Sequence, residues 1–473
     1  MTRNDGHGRT GRVAGMTDTA GKRGTAGRAE PGARGPVARI ASPALPLYLT
    51  MIVSSAGALV GTAVLGRHAT VSLAAFTVTT AVHTPAVAAV AGALRGVMPF
   101  VAAEREDPDA LLPMVRDGMW LGVATGLLGA AAVGAVPLIG RASGVPEETL
   151  AELGALPALL ACGVLVSAVG NSATSTLVGL GRSKPVMHAG TAGTVTAVAL
   201  SLLLVGGVGP FGGLGPTGAG VAMLASNLVG AAVAHRALRR SPVLAGLRLR
   251  PGRPHVRALL RLAAVGVPLA ATVLVKFAVL GVLALAAART GSDSAAAHGI
   301  SVSLANLVFT AAVAVGQATV PLVSPYVGGG DVRGLRGGVL AGVKVAMGAV
   351  LVLGGVLASA GEPVVSLFTR DAVLRGLVTG LLPVVLPAVV TDALQAVFGF
   401  GLVAVKDTVP SLVVFAACYG ALALAAVPVA AVGGLTALWA ALACANTVLV
   451  AGQAWAFHRR SARLPCGPAG TPG

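Results

Sequence analysis

Residues 408–453 read TVPSLVVFAACYGALALAAVPVAAVGGLTALWAALACANTVLVAGQ, 46 residues without one Asp, Glu, Lys or Arg. As helix, at about 1.5 Å per residue, they extend roughly 70 Å, enough to cross a hydrocarbon layer of ~30 Å twice. Pro428 and Gly433-Gly434 punctuate the run near its middle, giving spans at 409–430 and 434–457. The same feature recurs upstream: Leu121–Ile139 and Val186–Phe211 are also free of charge and long enough for one crossing each. A water-soluble core has no use for segments of this kind.

The composition agrees. Of 473 residues, 55% are hydrophobic and 11% charged, against about 25% charged in a soluble chain. Mean hydropathy is +0.84. The fold class is all-α integral membrane, with about twelve transmembrane helices. Charges and Gly/Pro punctuation place them at 41–65, 71–101, 116–140, 150–179, 185–208, 217–238, 258–288, 294–326, 333–360, 372–405, 409–430 and 434–457.

A formal charge of +17 invites a nucleic-acid reading, but the basic residues sit in the wrong places for one. They cluster in residues 1–39, in the Arg236–Arg261 connection with its eight Arg and no acid, and after Trp455. With both termini cytoplasmic, Arg105, Arg182, Arg333 and Lys406 also fall on the cytoplasmic side. That is the positive-inside pattern of a multi-pass protein of a plasma (bacterial inner) membrane. Residues 1–39 lack an apolar h-region, so they read as a disordered basic tail rather than a signal peptide. The expected organisation is a tail at 1–39, a six-helix lobe at 40–238, a basic cytoplasmic linker at 239–257, a second lobe at 258–457 and a tail at 458–473. Cys162, Cys418, Cys444 and Cys466 make no metal or redox spacing.

The two lobes repeat each other. Pro46 and Pro268 open spans one and seven, 222 residues apart (268 − 46). At that offset Ala74-Ala75-Phe76 pairs with Ala296-Ala297-His298, Pro99-Phe100-Val101 with Pro321-Leu322-Val323, and Asp109 with Asp331. Gly181-Arg182-Ser183-Lys184-Pro185 pairs with Lys406-Asp407-Thr408-Val409-Pro410 at offset 225. Six spans per half put both halves into the membrane from the same side, as a parallel pseudo-repeat around a central cavity. Duplicated halves of this kind hold the substrate pathway between them.

Over residues 40–457 the chain resembles the multidrug and toxic compound extrusion (MATE) family. The resemblance is carried by Thr62-Ala63-Val64-Leu65-Gly66-Arg67, Leu180-Gly181-Arg182-Ser183-Lys184-Pro185, Ala296-Ala297-His298, Ala314-Val315-Gly316-Gln317-Ala318, and Thr391-Asp392-Ala393-Leu394-Gln395 with Lys406-Asp407-Thr408. It implies two six-helix bundles and export of organic compounds in exchange for sodium ions or protons. Two positions depart from the family pattern. Gly61 stands where members commonly carry an aspartate, and Lys276 where many carry a cation-binding glutamate.

The residues themselves single out the same place. Among seventeen acidic residues only Asp392 falls deep in a span, 17 after Arg375 and 14 before Lys406. Lys276 is equally deep, 15 after Arg261 and 13 before Arg289. An unpaired charge there costs about 2.5–3.5 kcal/mol or more, so the two are expected to face each other. The pair either ties two helices statically or breaks and reforms during transport, with a proton on Asp392 releasing Lys276. Sodium is disfavoured as the coupling ion, because Lys⁺ repels it. Asn171, Asn306, Gln317 and Gln395 are expected along the substrate pathway, interhelical hydrogen bonding being the competing role. His83 and His298 read as satisfied core histidines, and Arg95 as a snorkelling side chain.

No ATPase motif, metal cluster or nucleophile elbow is present, so neither enzyme chemistry nor a cofactor is expected beyond an ion gradient. The reading is a proton-coupled exporter of small organic molecules, neutral or zwitterionic in view of the balanced Lys/Asp charge. Its partners are substrate and lipid bilayer, not nucleic acid. The alternatives are a lipid-linked precursor flippase of the same superfamily and a degenerate, non-transporting accessory protein.

Overall fold

The computed structural model describes residues 35–66, 70–205, 213–244 and 252–464. The expected N-terminal tail lies outside the described residues up to position 34, and its last four residues belong to a helix. Arg67, Cys466 and the end of the C-terminal tail also lie outside. The described residues form helices and connections.

The first lobe runs through α1 (Pro36–Gly66), α2 (Thr70–Arg95), α3 (Met98–Ala103), α4 (Pro108–Gly134), α5 (Val136–Ala142), α6 (Glu147–Glu152), α7 (Leu156–Gly179), α8 (Ser183–Leu204) and α9 (Gly215–Arg239). The second runs through α10 (Val256–Arg289), α11 (Ser292–Gly328), α12 (Val332–Ser359), α13 (Gly361–Ser366), α14 (Ala372–Ala404) and α15 (Val409–Ser461). Eleven stretches are long and apolar enough to cross a membrane, α2 and α3 counting together as Val71–Ala103. The 53-residue α15 holds two crossings, because Gly434 (φ 60°, ψ −154°) breaks it. The total is the twelve read from the sequence, and the fold is an all-α integral membrane fold of two six-crossing lobes.

Large apolar side chains face outward without a partner, Leu424 at 86% and Val432 at 93% exposure. Such a surface would associate in water and suits lipid. Inside, Leu94, Met98, Leu160, Phe415 and Tyr419 belong to one continuous core. In the first lobe α4 packs on α7, α7 on α9, and α8 on both α9 and α1; in the second α14 packs on α11 and α15. The lobes meet where α1 touches α11 and α2 touches α10.

The repeat is visible in backbone geometry. Gly181 (φ 72°) and Lys406 (φ 59°), 225 residues apart, both adopt the left-handed conformation that ends a helix. Around the first, Arg182 N–H donates to Leu177 C=O and Gly181 N–H to Val178 C=O, each at 2.8 Å. Around the second, Asp407 N–H donates to Leu402 C=O at 3.1 Å and Lys406 N–H to Val403 C=O at 2.9 Å. A lysine thus occupies a turn that suits glycine. One sequence pairing shifts. Asp331 caps α12 through Gly334 N–H, and the residue that caps α4 is Asp107, not Asp109. Helix starts register at offset 224 there.

Several boundaries differ from the hydropathy reading. Helix α4 starts at Pro108 rather than 116, which moves Asp117 from the second residue of the expected span to the third turn of the helix, buried at 2% exposure. A buried acidic residue is therefore held within a membrane-crossing helix, toward its N-terminal end. Asp117 accepts the backbone N–H of His255 at 3.2 Å, and Trp120 Nε1 donates to Gly252 C=O at 2.9 Å. The end of the basic linker is thereby fastened to the first lobe. The short α5, α6 and α13 escaped notice because six or seven residues are too few to show a period.

Candidate functional site

Lys276 on α10 and Asp392 on α14 meet, as their depths in sequence require. Lys276 Nζ stands 2.9 Å from Oδ1 and 2.8 Å from Oδ2 of Asp392. Their side chains are 20% and 16% exposed, so the pair is largely but not fully removed from its surroundings. Gln395, one turn on along α14, donates from Nε2 to Asp392 Oδ1 at 2.9 Å. On the other side of the ammonium, the Phe309 ring of α11 lies 3.6 Å from Nζ, a cation–π contact. The pair therefore joins three helices: α10 gives the cation, α14 the anion and α11 the ring.

The carboxylate is held in place from behind. Asn446 Nδ2 donates to Ala388 C=O, one turn before Asp392, at 3.0 Å, and Tyr419 Oη donates to Asn446 Oδ1 at 2.8 Å. Both side chains are 1% exposed. Pro383 and Pro387 lack N–H groups and so loosen the helical ladder here; Thr391 Oγ1 bonds back to Pro387 C=O at 2.9 Å. A polar network from both arms of α15 thus steadies a helix that its own prolines weaken.

A second arrangement lies in the first lobe and at its border with α11. A cavity of about 140 Å³ is lined by Arg95, Asn171, Ser175, Thr50 and Gln317 among others. It adjoins a larger one of about 270 Å³ that shares Thr50, Asn171 and Thr174 and adds Ser54, Ser226 and Asn227. No acidic residue lines either. Arg95 consequently does not snorkel toward the cytoplasmic surface: its side chain turns into the protein.

The structure thus brings Asn171 and Gln317 to one cavity and Gln395 to the ion pair. Asn306 is exposed and lines neither cavity. Gln453 bonds Ser411 between the arms of α15, at 2.9 Å. The histidines are buried but not satisfied: His83 Nε2 and His298 Nδ1 have no hydrogen-bond partner among the described residues, and His298 stacks at 5.6 Å on Trp439. At Gly61, a Cβ would find Ser201 Oγ of α8 at 3.9 Å. Phe309, Tyr419 and Asn446 were not assigned to the site from sequence. Phe309 and Tyr419 carried no signal, being ordinary aromatics of apolar spans, whereas Asn446 was visible only as one polar residue among several.

The lobes touch at the end that carries the basic connections. A Cβ on Gly96, in the turn between α2 and α3, would lie 2.8 Å from Gly266 Cα of α10, an approach closed to larger residues. Lys406 Nζ stands 4.5 Å from the Phe100 ring, and Arg105 Nη1 donates to Pro321 C=O at 3.4 Å. Within the second lobe Thr408 Oγ1 donates to Val265 C=O at 2.8 Å, and Asp407 pairs with Arg460. The Lys406-Asp407-Thr408 stretch thereby pins α10, α14, α15 and the end of α3 together.

Residues 268–429 match the family model described as MatE, a stretch containing both Lys276 and Asp392. Over this stretch and in its fold the chain is similar to the multidrug and toxic compound extrusion family. The chain is 28% identical over 394 residues to a probable multidrug resistance protein NorM of Aromatoleum aromaticum, covering 81% of the chain and 83% of that relative. It is 26% identical over 382 residues to the multidrug resistance protein MdtK of Pectobacterium atrosepticum, covering 78% and 82%. Its fold matches a MATE crystal structure in the straight conformation, with a TM-score of 0.81, 19% identity and coverage of 90% of this chain and 96% of that one.

Proposed function

We propose that the chain is a secondary active exporter of small organic molecules that works by proton antiport and alternating access. The relatives' names, multidrug resistance proteins, support an organic substrate. The observation that carries the coupling is the two-pronged contact between Lys276 and Asp392. A free cation has no room for its charge where an ammonium already occupies the carboxylate, whereas a proton can take that ammonium's place. A proton arriving on Asp392 neutralises the anion and leaves Lys276 held by the Phe309 ring alone. Helices α10 and α11 are then free to part from α14, and substrate leaves to the outside. Loss of the proton to the cytoplasm restores the pair. With the basic end cytoplasmic, the contacts at Gly96–Gly266, Phe100–Lys406 and Arg105–Pro321 close the cytoplasmic end in this conformation.

The test is proton flux after a pH jump across liposomes containing the purified protein, native against Asp392→Asn. Flux that rises with candidate substrates and vanishes in the variant is expected. Equal, substrate-insensitive flux in both would refute antiport through Asp392. Transport driven by a sodium gradient with pH clamped would refute the choice of ion.

A further inference from the structure

Arg95 is a cation without an anion. Its guanidinium has no hydrogen bond or ion pair among the described residues, yet it lines a half-open cavity about 12 Å of helix rise away from the end of α3. Around the same cavity stand Asn171 and Gln317, whose side-chain amides also have no partner there, and Ser175. Thr50 and Thr174 are already spent, donating to Pro46 and Asn171 carbonyls. The uncommitted donors are a planar fork of five N–H bonds, two amide NH₂ groups and a hydroxyl, beside the two amide oxygens. Lys276 is neutralised by Asp392, whereas no acidic residue lines the cavity at Arg95. An isolated cation is costly at this depth, and an arginine fork flanked by amides fits an oxyanion with two or three oxygens.

We infer that Arg95, Asn171 and Gln317 form a substrate subsite for the carboxylate of a small organic acid or zwitterion. The adjoining uncharged cavity, lined by Ser54, Ser226 and Asn227, receives the remainder of the molecule. The subsite spans both lobes: Arg95 and Asn171 belong to the first, Gln317 to the second through α11. A bound carboxylate therefore holds the lobes together from the inside. This reading names the substrate class for the exporter proposed above, and it rests on that proposal only for the word substrate.

Binding to purified protein in detergent at fixed pH tests it without any gradient, so failure of proton coupling leaves the result intact. The probes are anthranilate, its uncharged analogue anthranilamide, and the cation tetraphenylphosphonium. Native protein is expected to bind anthranilate at least tenfold more tightly than anthranilamide, roughly the worth of one charge-assisted hydrogen bond. Arg95→Gln is expected to abolish that preference without weakening tetraphenylphosphonium binding. Equal affinity of the native protein for the acid and the amide overturns the subsite, whether or not the variant folds. Unchanged acid preference in Arg95→Gln overturns the role of Arg95. Displacement of anthranilate by short-chain phosphatidate but not by benzoate would assign the site to a lipid headgroup and overturn the small-acid form.

Discussion

Replacing both members of the Lys276–Asp392 pair separates a coupling device from a structural tie. At 2.8–2.9 Å the gross attraction is about 6 kcal/mol in a medium of effective dielectric ~20. Desolvation of the two ions removes most of it, which is why swapping a whole buried pair is often neutral. Removing one partner is different. Asp392→Asn strands the ammonium and Lys276→Met strands the carboxylate, at about 3–5 kcal/mol for a fully buried pair. The partial exposure of both side chains, with Phe309 and Gln395 as residual partners, lowers the expected cost to roughly 2–3 kcal/mol. The double variant should recover to within about 1 kcal/mol of native, a coupling energy of roughly 3–6 kcal/mol. Unfolding in mixed micelles measures stability, and the liposome flux assay measures coupling. A stable double variant without substrate-dependent proton flux is expected. A double variant that recovers both stability and flux would refute the coupling role and leave a static tie.

Asn446→Leu leaves the buried Tyr419 hydroxyl without its acceptor and the Ala388 carbonyl with Thr391 Oγ1 as its side-chain donor, at about 1–3 kcal/mol; lower thermal stability with a shifted pH profile of flux is expected, and an unchanged profile would deny that Asn446 positions Asp392. Phe309→Leu removes the cation–π contact, worth ~0.5–2 kcal/mol, that holds the released ammonium, so proton-linked release should need more acid, as read from the pH of half-maximal flux. Gly266→Val forces α10 away from the α2 backbone. Cysteines placed at Phe100 and Lys406 should then cross-link less readily than in the native background, and equal cross-linking would contradict a cytoplasmic closure built on that contact.

Much of the fold was legible because it answers to length, hydropathy and charge. The twelve crossings, the six-and-six repeat and the meeting of Lys276 with Asp392 all follow from what lipid tolerates. Hydropathy is blind to direction around a helix. For that reason Arg95 read as a snorkelling residue while its side chain turns inward to a cavity, and Asn306 read as pathway-lining while it is exposed and lines neither cavity. The start of α4 was misplaced because Arg116 and Asp117 look like a membrane boundary, although Asp117 is satisfied inside the helix by the folded-back linker. Phe309 and Tyr419 remained hidden, since an aromatic in an apolar span acquires a polar task only from its neighbours in space.

The fastening of Gly252 and His255 to α4 bears on how the molecule divides when it moves. Helix α10 is numbered with the second half, yet its first turn follows a segment stapled to α4 and its flank lies against α2, while its other side lies against α11 and α15. The mechanical seam therefore runs through α10 rather than beside it. A swing of one half must twist or bend this helix about Pro268, eight residues before Lys276. The ammonium sits downstream of that flexure, so whatever grips or frees it governs a hinge shared by both halves.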